Sequence, residues 1–306
     1  MQNRTPLRYP GGKSMMTPFF VDLFRANGLS CVSYAEPYAG GAGAAINLLL
    51  GEYVEHILIN DANPAIFSFW KYVTEDNQRF VDEILNCKVN LTEWEKMHNL
   101  IKSSSTPSFE LGFAAFFLSR TNRSGILNAG PIGGNTQAKQ DAANYKIDCR
   151  FNKKDMAKRV EDIGRKSSRI TVTNKDAIQF LQELKSENLF VYLDPPYFKQ
   201  GKSLYLDYYK PQDHIALAEF LRNTDQFNWI LSYDCVDEIK EIYSDFDLYT
   251  FELNYTAQQV RTGKELLIHS RQLTMPSTMN IARKRTPISV VPLAKAHSNR
   301  IKNQKV

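Results

Sequence analysis

The chain has 306 residues, 43% of them hydrophobic, and a formal net charge of +5 at pH 7; it can form one large domain or, as we favour, one domain with an insertion. Its four cysteines stand apart from one another and from histidines, which argues against a disulfide framework or a zinc site and fits a reducing cytoplasm. The first residues hold no apolar signal core, and no stretch approaches the ~18 apolar residues of a membrane span, so we expect a soluble cytoplasmic protein that binds no membrane.

Positive charge is concentrated in two parts of the chain. Residues 281–306 hold seven Lys or Arg and no acid, and residues 120–175 hold thirteen Lys or Arg against five acids. Clustered cations gain free energy by displacing counterions from a polyanion. Basic tails and solvated helix faces also occur without any partner, so charge alone leaves a nucleic-acid partner and an ordinary surface equally open.

The first 74 residues predict alternating helices and strands. We expect a helix over 14–27, a strand over 31–36, a glycine turn with a helix from Ala44, a strand over 56–61 and a helix from Pro64. This order is typical of a doubly wound α/β sheet, and we therefore expect a Rossmann-like fold.

The alternation breaks after residue 74. Residues 75–165 predict a mainly helical insertion, in which 121–135 is rich in Asn, Ser and Gly and favours a hairpin or long loop suited to binding. The α/β domain then comprises 1–74 and 166–279, and 280–306 predict a basic C-terminal tail. The later elements are a strand and helix over 169–184, a strand ending near Asp194, a helix over 211–222, a strand over 229–234 and a closing strand pair.

The segment PGGKS at 10–14 imitates the end of a phosphate-binding P-loop. That motif needs an earlier glycine, and Leu7 stands in its place. The segment also precedes the first strand, so we reject a nucleotide hydrolase and keep Lys13 as a polar ligand.

The segment EPYAGGAGAAI at 36–46 approximates a dinucleotide fingerprint, with Ile46 in place of the third glycine. Asp61, about twenty residues further on, stands where an acid binds ribose hydroxyls. Asp61 could also cap the helix that starts at Asn63, but its spacing from the glycine turn favours a ligand. Together these features predict an adenosine-containing cofactor, either a nicotinamide dinucleotide or S-adenosylmethionine.

The segment VYLDPPY at 191–197 separates these two cofactors. The apolar run before it predicts a strand buried on both faces, and two prolines end the strand because neither has an N–H. Ligands bind outside the carboxyl ends of such strands, which puts Asp194 and the Pro195 carbonyl in a crevice beside Tyr197. Both could accept N–H groups from the exocyclic amine of a base, and Tyr197 could stack on that base. Hydride transfer has no evident use for this arrangement.

Other residues receive simpler interpretations. We take Tyr38 as a core aromatic outside the site and His214 as a residue without a role on the polar side of its helix. Tyr233 and Asp234 end a strand near the crevice and could help to shape a base pocket. We favour packing over base stacking for a cluster of three tyrosines, Tyr205, Tyr208 and Tyr209.

Four motifs in this order, RYPGGK, EPYAGGAG, DAN and DPPY, resemble the Dam-like class alpha DNA adenine methyltransferases, and the resemblance runs from about Leu7 to Ile268. It implies direct transfer of a methyl group from S-adenosylmethionine to N6 of an adenine flipped out of double-stranded DNA. The α/β domain would then be catalytic, and the insertion over 75–165 would recognise the target.

The resemblance also implies roles for individual residues. Four would be catalytic: Asp194, Pro195, Pro196 and Tyr197. Nine would bind the cofactor: Tyr9, Lys13, Glu36, Pro37, Gly40, Gly41, Asp61, Asp176 and Asp194. In the insertion, the hairpin would enter the duplex, with DNA contacts from Arg120, Asn122 and Arg123; a bidentate arginine contact to guanine is worth ~1–3 kcal/mol. Dam itself has an aromatic residue where we align Arg123, so its target sequence does not transfer.

Several alternatives stay open at the level of sequence. N4 of cytosine is also an exocyclic amine, and the same motif would suit it. The chain could instead be a DNA-binding protein that keeps the fold without turnover, and a nicotinamide oxidoreductase is a more distant alternative. We expect a monomer, with a cognate restriction endonuclease as a conceivable partner.

Overall fold

The computed structural model describes residues 3–185, 188–198, 209–255, 261–282 and 287–293. Its largest unit is an eight-stranded sheet with the strand order β10-β6-β7-β5-β4-β1-β2-β3. The strands that contribute to it are β1 (Ser33–Glu36), β2 (His56–Asn60), β3 (Ile170–Thr173), β4 (Leu189–Leu193), β5 (Asn228–Asp234), β6 (Leu248–Tyr255), β7 (Arg261–His269) and β10 (Val291–Pro292).

The sheet has a parallel part and an antiparallel part. β3, β2, β1, β4 and β5 pair in parallel, whereas β5, β7, β6 and β10 pair antiparallel. The chain runs outward from β1 through β2 to β3, then returns to the other side of β1 as β4. Ligands bind at the carboxyl ends of strands where the order reverses in this way, here between β1 and β4.

Helices cover both faces of the sheet, as expected for a doubly wound fold. They are α1 (Thr17–Ala26), α2 (Gly43–Leu50), α3 (Pro64–Glu75), α4 (Asn77–Asn86), α5 (Leu91–Ser103), α6 (Phe109–Thr121), α7 (Gln137–Ala142), α8 (Lys153–Gly164), α9 (Ala177–Glu183), α10 (Pro211–Arg222) and α11 (Asp237–Ile242). All five residues of β4 are buried. Phe190 and Tyr192 join the core under α1 to α3, and Val191 and Leu193 join the core under α9 to α11. The prediction of a strand buried on both faces is confirmed.

The helices of the predicted insertion pack directly on the sheet domain. The rings of Phe69 in α3 and Phe116 in α6 stack with centroids 6.1 Å apart. A Cβ at Gly112 would lie 2.7 Å from the backbone of α3, so glycine lets the two helices approach closely. The insertion therefore shares one hydrophobic core with the face of the sheet that α1 to α3 cover. Its boundaries at 75 and 165 stay a prediction.

The described part of the expected tail is packed rather than free. β8 (Thr278–Met279) pairs with β9 (Ile288–Ser289), and β10 adds a strand to the edge of the main sheet beside β6. The sequence lacked sustained periodicity here because strands of two residues are too short to display one. Among the described residues, none of the helices has the length and apolar character needed to cross a membrane.

Candidate active site

A cavity of about 310 Å³ opens at the carboxyl ends of β1 and β4. Its volume lies at the lower end of the range usual for sites that bind small molecules and cofactors. The nine residues that the sequence assigned to a cofactor all line it: Tyr9, Lys13, Glu36, Pro37, Gly40, Gly41, Asp61, Asp176 and Asp194. The fold thus brings four separate motifs to one place.

The glycine turn after β1 is held from three sides. Gly40 has a φ of +45°, and a Cβ there would lie 2.6 Å from the ring of Tyr9. Trp70 donates its indole N–H to the Gly40 carbonyl at 2.9 Å, and the Gly40 N–H donates to the Asp61 carboxylate at 2.8 Å. Only glycine combines this conformation with this close approach, so the turn forms a fixed wall of the cavity.

Asp61 and Asp176 line the cavity from the loops after β2 and β3. Asp61 does not cap α3, because Asn63 is the cap residue; instead, Asp61 accepts from the Gly40 and Asn63 N–H groups. Asp176 caps α9 by accepting from the N–H groups of the helix's second and third residues. Both acids are therefore oriented by the backbone at the cavity wall.

Glu36 ends β1 in a buried position. Its Oε1 accepts from the Tyr34 hydroxyl at 3.0 Å and from the Ala45 N–H at 3.1 Å. Burial raises its pKa to about 8, although these two hydrogen bonds oppose the rise. At neutral pH the group is therefore mostly protonated, and a cation placed next to it would favour release of the proton.

Asp194 follows β4 and is bound by donors from two distant segments. Lys13 Nζ lies 2.8 Å from Oδ1 and 2.9 Å from Oδ2, and the Ser232 hydroxyl donates to Oδ1 at 2.8 Å. The Ser232 hydroxyl in turn hydrogen-bonds the Tyr192 hydroxyl at 2.7 Å. The carboxylate thus has a fixed orientation, and each oxygen accepts at most two hydrogen bonds here, which leaves capacity for a further donor at Oδ2.

Lys13 is buried at the centre of this arrangement. Burial alone would lower its pKa, but the carboxylates of Asp194 and Glu265 raise it well above its ordinary value. The side chain is therefore a permanent cation at physiological pH. The sequence predicted a cofactor contact for Lys13; the structure adds a role that spacing could not show, an ion pair with the predicted catalytic acid.

Tyr197 is half-buried in the same loop as Asp194. Its hydroxyl donates to Glu265 Oε1 at 2.6 Å and accepts from Lys13 Nζ at 3.2 Å. The Lys13 ammonium also lies 5.3 Å from the centre of the Tyr197 ring. Pro195 is buried, and Pro196 lines the cavity. Ser232 and Glu265 were missed by the sequence analysis, because the pattern of a strand does not show which strands lie next to it in the sheet.

Three further residues that the sequence analysis did not assign to the site line the cavity. Tyr38, Tyr209 and Asp213 all line it, and the hydroxyls of Tyr38 and Tyr209 lie 2.6 Å apart. Tyr38 packs against the core under α9 to α11, as expected of a core aromatic, but the expectation that it lies outside the site is wrong, since it also lines the cavity. Tyr205 and Tyr208 lie outside the described residues.

His214 was expected on the polar side of α10, and that expectation is wrong. The side chain is 1% exposed, and its Nδ1 lies 2.7 Å from the Tyr233 hydroxyl. Burial lowers the pKa of His214 to about 4, so it is neutral. Tyr233 is used in this core contact, whereas Asp234 accepts from the Phe198 N–H at 3.1 Å and so holds the loop after β4.

The three residues predicted to contact DNA differ in exposure. Asn122 is buried: its Oδ1 accepts from the Trp94 indole at 2.6 Å, and its Nδ2 donates to the carbonyls of Ile126 and Leu127. Arg120 is half-buried, and its guanidinium donates to the Pro6 carbonyl.

Direct DNA contact by Asn122 is therefore wrong for this conformation, because its polar atoms hold the loop that follows α6. Arg120 likewise anchors the N-terminal segment through a backbone carbonyl. Arg123 is exposed, and its contact with DNA stays a prediction. The predicted hairpin is a loop closed by one bridge between Asn122 and Pro131 and by a short 3₁₀ turn at 123–125.

Comparisons with known proteins agree with the motifs. Residues 9–257 match the family model described as D12 class N6 adenine-specific DNA methyltransferase. The chain is 20% identical over 254 residues to the Type II methyltransferase M.CviBI of Paramecium bursaria Chlorella virus NC1A, covering 81% of this chain and 90% of that protein. It is 26% identical over 236 residues to the Type II methyltransferase M.MjaIII of Methanocaldococcus jannaschii, covering 70% and 78%.

Among solved structures, an rRNA methyltransferase, aviRa from Streptomyces viridochromogenes, aligns with 86% of this chain and 87% of its own. The TM-score is 0.35 and the sequence identity is 11%. The family match, in contrast, includes every cavity-lining residue named above, from Tyr9 to Asp213.

Proposed function

Because this chain belongs to the D12 class N6 adenine-specific DNA methyltransferases, we propose that its cavity binds S-adenosylmethionine as the methyl donor and that Asp194 orients the target adenine. The observation that supports this most directly is the position of Asp194, which directly follows β4 and lines the same cavity as the glycine turn and Asp61. The family match favours N6 of adenine over N4 of cytosine, which the motif alone left open.

The donor groups on the cavity wall suit this cofactor. Asp61 and Asp176 offer carboxylate oxygens for ribose hydroxyls and the adenine end, and Tyr38 and Tyr209 offer aromatic surface nearby. Glu36 lies toward Asp194 and would pair with the cationic methionine part. The cofactor would supply an electrophilic methyl group on a sulfonium centre, and the protein residues would hold it.

The protein's part in the reaction is orientation. Asp194 Oδ2 would accept one N–H of the target amine, and the Pro195 carbonyl would accept the other, which localises the nitrogen lone pair. Lys13 and Ser232 keep the carboxylate in one orientation before the base arrives. Preorganised acceptors and alignment of the reacting atoms supply most of the rate enhancement in such a site. No nucleophile of the protein is needed.

The test incubates the protein with methyl-labelled S-adenosylmethionine and mixed-sequence duplex DNA, followed by digestion to nucleosides and mass analysis. We expect the label on N6 of adenine. Label on N4 of cytosine would keep the mechanism and overturn the base. Absence of label in a sample whose cofactor binding is verified by calorimetry would favour a binding protein without turnover, and sequencing of labelled DNA would map the target site.

The names of the two relatives bear on a partner for this enzyme. Both curated relatives are named Type II methyltransferases, so we propose that this enzyme protects DNA against a restriction endonuclease of the same sequence specificity. DNA methylated at the mapped site should then resist a nuclease that cuts there. We propose a monomer as the active form, and sedimentation with and without DNA tests it.

A further inference from the structure

A buried acid on β7 belongs to the network around Asp194 but has no part in the function proposed above. Glu265 is 1% exposed and pairs in register with Asp234 of β5. Its Oε1 accepts from the Tyr197 hydroxyl at 2.6 Å and lies 3.9 Å from Lys13 Nζ. Its Oε2 is buried and has no hydrogen-bond partner among the described residues.

Such a group is costly for folding. Burial raises the pKa of Glu265; the Lys13 ammonium opposes that rise, and the negative charge of Asp194 adds to it. A buried polar atom without a partner destabilises the folded state and calls for an explanation other than stability. Perturbed buried acids concentrate at functional sites for this reason.

The contacts of the loop after β4 supply that explanation. Tyr197 is held by Glu265, and the next residue, Phe198, donates its N–H to Asp234 Oδ1 at 3.1 Å. Glu265 and Asp234 are register partners on adjacent strands. The β5–β7 pair therefore fixes two consecutive residues of the loop, one through its side chain and one through its backbone.

We propose that Glu265 is a positioning residue that, by accepting the hydrogen bond of the Tyr197 hydroxyl, fixes the ring on which the target base stacks. The proposal rests on the function proposed above and on the base-stacking role that the sequence predicts for Tyr197. It assigns Glu265 no contact with the substrate, because the carboxyl acts through the tyrosine. A ring held at its hydroxyl keeps one orientation beside Asp194, so the incoming base does not have to order it.

The test compares Glu265→Leu, Glu265→Gln and Tyr197→Phe in two assays: turnover on DNA with adenine at the mapped target position, and fluorescence on the same DNA with 2-aminopurine at that position. Leu removes the acceptor, Gln retains an acceptor oxygen, and Phe retains the ring but removes the donor. We expect kcat to fall by about 10- to 100-fold in the Leu and Phe variants, because a small misplacement of a positioned group has that effect. The Gln variant should recover most of the rate.

The spectroscopic readout separates positioning from folding. An extruded 2-aminopurine that stacks on a fixed ring is quenched, so the Leu and Phe variants should show brighter emission than the wild type at the same DNA occupancy. Cofactor affinity should stay within a few-fold. Glu252→Leu is the matched control, since Glu252 is exposed on the neighbouring strand β6 and should change neither rate nor emission.

Three outcomes would overturn the proposal: an unchanged kcat in Glu265→Leu, a loss in Glu265→Gln as large as in Glu265→Leu, or a loss of rate with unchanged emission. If Glu265→Leu does not fold, Tyr197→Phe decides, because it leaves Glu265 in place. A wild-type protein that labels no adenine would instead contradict the proposed function itself.

Discussion

Asp194 is bound by protein donors before any substrate arrives. Lys13 and Ser232 together make three hydrogen bonds to its two oxygens. An Asp194→Ala variant is therefore a poor test, since it would remove the carboxylate nearest to the buried Lys13 ammonium and leave it with the Glu265 carboxylate at 3.9 Å. Removing one partner of a buried ion pair costs about 3–5 kcal/mol, so a loss of activity could reflect unfolding.

Asp194→Asn is the sharper substitution. Its amide oxygen can still accept from Lys13, but its amide nitrogen donates and cannot accept the N–H of a base. We expect kcat to fall by at least ~100-fold, as when one preorganised group is removed from a reacting centre, while the cofactor Kd changes little. Turnover kinetics and calorimetry measure the two quantities; near-normal turnover would contradict the assignment of Asp194.

Glu36 gives a prediction about protons. Its pKa of about 8 lies above the 4.5 of an ordinary glutamate, so the folded chain holds a proton that the unfolded chain has released. This group's contribution to the free energy of unfolding therefore falls as the pH rises from about 4.5 to about 8. Thermal unfolding of Glu36→Gln should depend less on pH across that window.

Cofactor binding should also move that proton. A cation beside Glu36 favours the carboxylate, so S-adenosylmethionine should release up to about one proton from the wild type at pH 7. Calorimetry in buffers of different ionisation enthalpy measures the number, and Glu36→Gln serves as the control. Equal proton release by both proteins would show that Glu36 does not face the cationic part of the cofactor.

Among the elements, the loop after α6 contains a structural residue, Asn122, next to a predicted DNA contact, Arg123. Arg123→Ala should weaken DNA binding and reduce the slope of log K against log salt by about one, without a change in thermal stability. Asn122→Ala should instead destabilise the fold by about 1–3 kcal/mol, because it removes the partner of the Trp94 indole N–H and of the Leu127 carbonyl, whereas the Ile126 carbonyl still accepts from the Ala129 N–H. DNA titrations and thermal unfolding distinguish the two; a salt slope unchanged in Arg123→Ala would remove it from the interface.

This difference shows where the sequence was informative. Periodicity and turn residues located β1, β2, β4 and α10 to within about two residues, and the strand ends predicted which motifs would meet. The sequence did not show which side chains of a loop point into the core. Asn122 and Arg123 are adjacent in the same polar loop, yet one is buried and the other exposed, and only the packing of α5 against α6 decides which.

At the scale of the whole molecule, the cavity joins segments that are far apart in the chain. Lys13 precedes α1, Glu36 ends β1, Asp61 follows β2, Asp176 precedes α9 and Asp194 follows β4. The sequence predicted their convergence because parallel strands present their carboxyl ends at one edge of a sheet. It could not predict that Lys13 pairs with Asp194, since that contact depends on how the N-terminal turn crosses the top of the sheet.

A ligand that bridges these segments should stabilise the entire fold. At a free concentration of 100 Kd, S-adenosylmethionine should raise the free energy of unfolding by about 2.7 kcal/mol, and amide hydrogen exchange should slow in the glycine turn after β1 and at the start of α9 together. Both segments line one cavity, so protection of only one would contradict a single cofactor site. The matched control is a nicotinamide dinucleotide at the same concentration. The glycine turn and Asp61 alone would suit either compound. Stabilisation by the nicotinamide dinucleotide and not by S-adenosylmethionine would therefore contradict the proposal that the cavity binds S-adenosylmethionine.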